Sequence, residues 1–379
     1  MIVNEHDIRF MQHALGLARQ GIGLASPNPT VGCVIVNDGQ IVGEGFHQYQ
    51  WRDHAEIVAL KSAKARARGA TLYVTLEPCS HQGRTGPCTE PIIVAGVKRV
   101  VAAIEDPNPL NSGRGFERLS LAGIEVGTDI CEEEARRLNE AFACWVRTKK
   151  PFVTLKSALT LDGQLALPQT GRKTARNSGA RSGSEWITSE ESRAEVHRMR
   201  HASDAVLTGV GTILADDALL TDRSGLPRRR RLLRVVLDSK LRLPGKSRIV
   251  GAAEGDLLVF TGVSLKSAKA RKLQNAGVEL VQRKPKDGRI DLQAVLAELG
   301  QREILSVLLE AGPRLNGAAL AGGIVHKLVL FYAPKITGES TVPFALARNL
   351  KLPALEKAWT HQFGPDFAIA GYWRDPHKK

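Results

Sequence analysis

Four side chains in the first quarter of the sequence are of types that act together. His54 and Glu56 stand two apart in "HAEIVAL", and Cys79 and Cys88 bracket a glycine-containing loop in "TLEPCSHQGRTGPC". One imidazole and two thiols make the ligand set of a catalytic Zn²⁺ site, in which three protein donors leave the fourth tetrahedral position to water. Two thiolates and a neutral imidazole also balance the charge of the ion. Zinc brings the pKa of its water to about 7 and so supplies hydroxide at neutral pH. Glu56 is then free to move protons. In zinc-dependent base deaminases a Glu beside the His ligand takes the water's proton and passes it to the ring nitrogen and the departing ammonia.

Simpler readings stand beside this one. Asp53 and Glu56 fit a capping box at a helix start, with Asp53 as N-cap, which leaves His54 unexplained. A closed structural zinc site needs a fourth donor, for which His81 is the candidate. Buried free thiols are the third reading, and they suit Cys33, Cys131 and Cys144, which fall in strand or helix patterns. Each of Cys79 and Cys88 is expected at a helix start, with Pro78 as an N1 residue and "CTEPIIVAG" as a helix, so that dipoles favour the thiolates.

The elements that must position these groups follow from periodicity. A helix over 5–20, the hairpin "CVIVNDGQIVGEG", a helix over 54–68, the strand "TLYVTLE", a helix over 88–95 and the strand "RVVAAI" come in order. A helix over 114–121, the strand "IEVG" and one helix "EEEARRLNEAFACWVRT" complete the first half. Strands alternating with helices indicate an α/β layer sandwich. At "KKPFVTLKSALTLDG" the pattern restarts, which places a boundary between residues 1–147 and 148–379. A helix over 189–200, the strands "AVLTG", "RVVLDS" and "DLLVFTG", a helix over 291–299 and the strands "SVLLE" and "KLVLFYA" make a second α/β unit. Its stretch at 168–184, rich in Gly and Arg, has no period and reads as a loop.

Composition bounds the alternatives. A chain of 379 residues with 43% hydrophobic and 24% charged residues is long enough for two globular domains. No apolar run approaches the ~18 residues of a membrane span, and the N-terminus reads as an amphipathic helix, so a cytoplasmic protein without a membrane partner is expected. Five cysteines without a secretory signal argue against a disulfide framework. The net charge of +14 points to a polyanion or a phosphorylated small molecule. The basic runs at 64–68, 171–181 and 228–231 carry no interleaved aromatics, so they read as solvated surface.

"PNPTVGCVIV", "HAE" and "TLEPCSHQGRTGPC", followed by "EDPNP", closely resemble the deaminase half of the RibD family of bifunctional riboflavin-biosynthesis enzymes. Nucleic-acid deaminases carry P-C-x-x-C. Here eight residues, Ser80 to Pro87, separate the cysteines, a spacing that resembles the riboflavin family and argues against a nucleic-acid partner. "LKSALTLDG", "SEWITS", "GVGTILADDALLTDR", "VVLDS" and "LEAGPRLNGA" resemble the family's reductase half. The resemblance implies a cytidine-deaminase-like α/β/α domain followed by a dihydrofolate-reductase-like α/β domain, with Zn²⁺ and NADPH as cofactors. It implies deamination of a phosphoribosylaminopyrimidine and then reduction of its ribosyl part to ribityl, in a homo-oligomer.

Position by position, His54, Cys79 and Cys88 resemble the family's zinc ligands and Glu56 its proton shuttle. Ala158, Trp186, Thr212, Asp216, Ser239, Gly312, Pro313, Arg314, Leu315, Asn316, Gly317 and Ala318 match cofactor contacts. Ser184, Arg200, Leu220, Arg223 and Glu310 match substrate contacts, and Lys156 and Asp162 belong to the same motifs. From the residues themselves, "SVLLEAGPRLNGA" is a strand, a Gly-Pro turn and a helix start, which suits a cofactor phosphate as well as an ordinary connection. Arg200 and Arg223 suit a 5-phosphate or a surface ion pair. The chain departs from the family in a basic insertion before Trp186 and in Ala218, where Pro is expected.

Overall fold

The computed structural model describes residues 5–81, 86–165, 186–337, 342–347 and 354–375. Ser184 and the basic run at 171–181 lie outside them. The chain divides into two compact units. One is built on the chain up to Pro151 together with Leu226–Arg230, the other on Phe152–Gly225 and Arg231–Asp375. None of the described helices is long and apolar enough to cross a membrane.

In the first unit the elements run α1 (Glu5–Gln20), β1 (Gly32–Asn37), β2 (Gln40–Phe46), α2 (Ala55–Ala63), β3 (Thr71–Val74), α3 (Thr89–Val94) and β4 (Arg99–Ala102). They continue as α4 (Arg114–Leu121), β5 (Glu125–Gly127), α5 (Glu132–Leu138) and α6 (Glu140–Thr148). The described strands form a sheet in the order β2-β1-β3-β4-β5, antiparallel from β2 to β3 and parallel beyond. β1 is buried along most of its length and β3 almost wholly, as strands covered on both faces must be. Glycines set how closely the helices approach. A Cβ at Gly43 on β2 would lie 2.4 Å from the Ala59 carbonyl oxygen of α2, and one at Gly32 would lie 2.0 Å from that of Ala14 on α1. A larger residue at Gly43 would push away the helix that carries Glu56, and one at Gly32 would push away α1.

Several elements differ from their expected form. The last helix of the first half is two, broken at Asn139, whose side chain instead accepts from the Thr30 N–H and donates to the Thr30 carbonyl. The expected helix over 54–68 is α-helical only to Ala63 and continues as a 3₁₀ turn, Lys64–Ala67. Cys33 and Cys144 are buried, whereas Cys131 is only half-buried, in a left-handed conformation before α5. The run at 228–231 is not simply solvated: Arg228, Arg229 and Arg230 are half-buried. Within the first unit the Arg229 guanidinium lies 4.3 Å from the Tyr49 ring, and Arg230 donates to the Ser26 hydroxyl at 3.2 Å.

In the second unit come β6 (Phe152–Thr160), α7 (Glu190–His201), β7 (Ala205–Gly209), α8 (Val210–Asp216), β8 (Leu233–Leu237), α9 (Arg248–Gly251), β9 (Leu257–Thr261) and α10 (Ala268–Asn275). β10 (Glu279–Gln282), α11 (Leu292–Gln301), β11 (Ser306–Leu309), α12 (Pro313–Ala321), β12 (Lys327–Ala333), β13 (Glu356–Phe363) and β14 (Asp366–Tyr372) follow. The sheet order is β10-β9-β8-β7-β11-β6-β12-β14-β13, parallel except for the β12-β14-β13 end. β10 and the β13–β14 hairpin escape a reading by periodicity. β13 is an edge strand without a buried face, so alternation is absent there.

One buried ion pair ties α1 to the first unit's sheet. Asp7 on α1 accepts from both Arg99 Nη atoms, at 2.8 and 3.0 Å, and from the Tyr73 hydroxyl at 2.6 Å. These bonds, Arg99's above all, hold its carboxyl below the ordinary value of 3.8 against the cost of burial. A group depressed in the folded state contributes its full stability above its unfolded pKa and loses it as pH falls through the folded one. Asp7→Asn is therefore expected to destabilise the first unit by about 1 kcal/mol at neutral pH. Thermal midpoints of both proteins followed against pH should differ by a constant amount above the ordinary carboxylate range and converge below it.

Candidate metal centre and reductase cleft

The metal-binding groups are brought together by three separate pieces of chain. His54 is the N-cap of α2, in extended conformation, so it occupies the place assigned to Asp53 in the capping-box reading. Its side chain makes no cap bond and is directed elsewhere. Asp53 instead pairs with Lys61 at 2.5 Å. Cys88 is the N-cap residue of α3, as expected. Cys79 follows β3 in irregular chain, so Pro78 opens no helix.

His54 Nδ1 lies 2.9 Å from the Cys88 sulfur and 3.5 Å from that of Cys79, and the Cys88 backbone N–H donates to the Cys79 sulfur at 3.3 Å. One ligand atom from each of the three falls within 4.8 Å of the others, and His81 does not join this cluster among the described residues. Hydrogen bonding from Cys88, helped by His54, draws the Cys79 thiol down to about 4 despite burial. Cys88 is pushed well up, first by its hydrogen bond to the Cys79 sulfur and then by burial. Burial works against a charged His54, but the Cys79 sulfur and Glu56 carry it up to about 8. Two sulfurs that resist sharing negative charge, with a basic imidazole between them, form a donor set that fits a divalent soft cation, under which both thiols ionise.

Glu56, in the first turn of α2, is buried, and that burial raises its carboxyl. A raised carboxyl next to the ligand set holds a proton more readily than an ordinary glutamate and is suited to taking and giving one. His47 stands behind the ligands. Its ring meets that of His54 edge-on at 5.4 Å, takes a hydrogen bond from Asn28 at 2.9 Å and donates to the Asp53 carbonyl at 2.8 Å. That pattern fixes its neutral tautomer, in line with a pKa lowered by burial. Spacing does not single out His47, Asn28 or Glu77. Asn28 and Glu77 lie inside the motifs "PNPTVGCVIV" and "TLEPCSHQGRTGPC", but nothing in their spacing reveals what they hold.

In the second unit, the candidate site lies at the ends of parallel strands. β7 and β11 are neighbours in the sheet, and α8 and α12 start beside each other from their carboxyl ends. A Cβ at Gly209 would lie 3.6 Å from Leu315. Such strand ends, where the chain departs in opposite directions, are where α/β sheets bind ligands. Gly312 caps α12 with Pro313 at N1, and a Cβ at Gly317 would lie 2.0 Å from the Leu346 carbonyl oxygen. Asn316 is fully buried and donates to the Phe344 carbonyl at 2.9 Å. Among the described residues, Asn316 Oδ1 and Thr208 Oγ1 are buried without a hydrogen-bond partner, which suits a polar ligand such as a dinucleotide.

Glu310, after β11, is grasped by Arg200 of α7, with Nε at 2.6 Å and Nη2 at 3.0 Å, and has Lys156 of β6 at 3.6 Å. Burial would raise Glu310, yet Arg200 and then Lys156 hold it at about 2. Arg200 also donates to the Thr221 carbonyl at 3.0 Å, beside buried Leu220 in left-handed conformation. Arg223 donates its backbone N–H to His197. Ala158 lies on β6, Thr212 and Asp216 on α8, and Ser239 follows β8. Trp186 is 61% exposed, with the Arg193 guanidinium 5.2 Å from its ring, so it is no core aromatic. Arg314 and Ala318 lie on α12, and Asp162 accepts from Thr160 at 2.6 Å.

Two family profiles match the chain: the RibD C-terminal domain over residues 151–369, and the cytidine and deoxycytidylate deaminase zinc-binding region over residues 4–104. A riboflavin biosynthesis protein RibD of Aquifex aeolicus is 44% identical over 89% of this chain and 90% of its own length. That of Escherichia coli is 42% identical over 93% and 92%. The solved structure of Acinetobacter baumannii RibD superposes with a TM-score of 0.81 at 37% identity, covering 97% of this chain and 99% of that one. A structure from Thermotoga maritima, described as a diaminohydroxyphosphoribosylaminopyrimidine deaminase/5-amino-6-(5-phosphoribosylamino)uracil reductase, gives the same TM-score and identity over 97% and 98%.

The uneven sulfur acidities have a direct readout. In metal-free protein, iodoacetamide at pH 6 should alkylate Cys79 well before buried Cys33 and Cys144, and added Zn²⁺ should suppress the reaction. Peptide mass spectrometry gives the order of labelling, and Cys33 labelling first would contradict the assignment.

Proposed function

The chain belongs to the RibD family and is a bifunctional zinc-dependent deaminase and NADPH-dependent reductase of riboflavin biosynthesis, and on that footing we propose that residues 1–147 carry the deaminase and residues 148–379 the reductase. The substrate is 2,5-diamino-6-(5-phosphoribosylamino)pyrimidin-4-one, which loses its 2-amino group. The product is 5-amino-6-(5-phosphoribitylamino)uracil. The single observation that carries the deaminase assignment is the convergence of His54, Cys79 and Cys88 within 4.8 Å, next to a buried carboxyl.

His54, Cys79 and Cys88 hold the zinc. When bound, zinc supplies the Lewis acidity that makes hydroxide available near neutral pH. Glu56 takes the proton released from water, gives it to the ring nitrogen, and carries a second one to the leaving amine. Water and the amidine thus become a carbonyl and ammonia. The capped start of α2 keeps Glu56 in reach of the position beside the ligands, where its raised pKa suits both halves of the transfer.

In the reductase, Thr212, Asp216, Ser239, Ala158, Trp186 and the turn from Gly312 to Ala318 hold NADPH, which supplies hydride. Asn316 and its neighbours keep that turn against the sheet. Leu220 and Arg223 bind the substrate with the fixed pair of Arg200 and Glu310, and Ser184, which lies outside the described residues, is assigned to substrate by its match to the family motif alone. Opening the ribosyl ring puts hydride on the anomeric carbon and needs a proton on the oxygen that leaves it. Lys156, beside Glu310 and with its pKa lowered by burial, is the acid at that place. The enzyme works in the cytoplasm, as a homo-oligomer, on a free small molecule and without nucleic acid. The charge of +14 supports recognition of a phosphorylated substrate, and the basic runs lack the interleaved aromatics of a base-stacking surface.

Glu56→Gln should lower ammonia release by about 10²- to 10⁴-fold. NADPH oxidation by the same variant, supplied with the already deaminated intermediate, should stay at the wild-type rate. Unimpaired deamination would remove Glu56 from its role. Titration of the wild-type protein with tRNA and duplex DNA should give no salt-sensitive binding, and a steep salt dependence would favour a nucleic-acid substrate instead.

A further inference from the structure

Buried Glu77 is two residues before Cys79 and is not one of the clustered ligands, yet its carboxylate collects four backbone N–H groups from one distant loop. Oε2 accepts from Asp106 and Gly113, each at 3.0 Å, and Oε1 from Gly115 at 2.7 Å and Phe116 at 3.4 Å. The last two belong to the first turn of α4. That helix begins at Gly113, in left-handed conformation and with no side chain to cap it, so Glu77 takes the N–H groups an N-cap residue would have satisfied.

The same loop reaches back to the other side of Cys79. Asn111 is fully buried, and its Oδ1 accepts from the Ser80 N–H at 2.8 Å and from the Ser80 hydroxyl at 3.2 Å. Its Nδ2 donates to Asp106 Oδ2 at 3.1 Å, which closes the loop on itself. Packing between turn and loop is tight: a Cβ at Gly115 would lie 2.0 Å from the Pro78 carbonyl oxygen. Cys79 therefore sits between two tethers to one rigid segment. The strand ladder cannot do this work, since its last bond here, from the Glu77 N–H to the Ile104 carbonyl at 2.9 Å, ends before proline.

We propose that Glu77 is a positioning residue which, with Asn111 as second tether, uses the 106–116 loop to fix the Pro78–Ser80 turn and thereby places the Cys79 sulfur for metal binding. The inference rests on the reading of His54, Cys79 and Cys88 as the zinc ligands. Outer-shell partners of metal ligands are commonly worth 10- to 100-fold in affinity. Glutamine at position 77 keeps the shape but presents an amide N–H₂ to groups that are themselves donors.

The test uses the full-length protein as wild type, Glu77→Gln, Asn111→Ala and the double variant. Zinc affinity is read by competition with a chromophoric chelator, and ligand geometry by the visible absorption of the Co²⁺-loaded protein. Reductase turnover and the thermal midpoint report folding. Glu77→Gln is expected to weaken zinc by roughly 10- to 100-fold and to shift the cobalt bands, with reductase turnover unchanged. Asn111→Ala should weaken zinc less, and the double variant should lose less than the product of the two single losses. Wild-type zinc affinity and cobalt bands in Glu77→Gln would overturn the proposal. Should Glu77→Gln fail to fold, wild-type affinity and bands in a folded Asn111→Ala would overturn it just as well. A wild-type protein that binds no zinc would refute the ligand assignment itself, a different failure.

Discussion

Two sulfur atoms and an imidazole nitrogen held within a few ångströms of one another, with Cys88 buried and the other two ligands half-buried, are the constraint around which the first unit is organised. Such a cluster is unfavourable for a folded chain by itself, because the second thiol cannot ionise next to the first. The opposing moves of Cys79 and Cys88 are the signature of that conflict. A divalent cation resolves it, which is why a site of this kind needs its scaffold prepared beforehand. The Cys88 N–H on the Cys79 sulfur, the extended N-cap at His54 and the anchored turn around Cys79 are that preparation.

The scaffold is rigid where the ligands attach. Glycines in β2 let α2 lie directly on the sheet, and α2 carries both a ligand and the proton carrier, so the distance between them is set by one short helix start. Glu77 has a comparable function across a longer reach. A buried carboxylate is costly unless its oxygens are satisfied, and this one is satisfied by a loop that then cannot move freely.

The reductase unit solves a different problem by related means. Its reactive side chains are charged and buried, and they survive because they compensate one another: Glu310 accepts from Arg200 and stands near Lys156. The three come from β6, α7 and the end of β11, which a parallel sheet brings to one edge. Polar atoms on Asn316 and Thr208 find no partner among the described residues at the adjoining strand ends. A binding cleft differs from a core in that incompleteness.

Much of this was readable in the chain itself. Residue type and spacing named His54, Glu56, Cys79 and Cys88 because metal chemistry admits few donor sets, and the alternation of strands and helices named two α/β units. Local signals failed where neighbours in space decide. Asn139 breaks a helix because Thr30 offers its backbone better partners. His54 takes the N-cap from Asp53 because its ring is drawn toward two sulfurs. β13 forms only as an added edge to β14. Glu77 and Asn111 look like ordinary polar residues until the 106–116 loop, to which Asn111 belongs, folds against the Pro78–Ser80 turn. Sequence by itself determined which groups can do chemistry and which segments bury apolar faces. Only the tertiary structure decided which polar groups, far apart in the chain, satisfy one another, because that depends on distances set by packing.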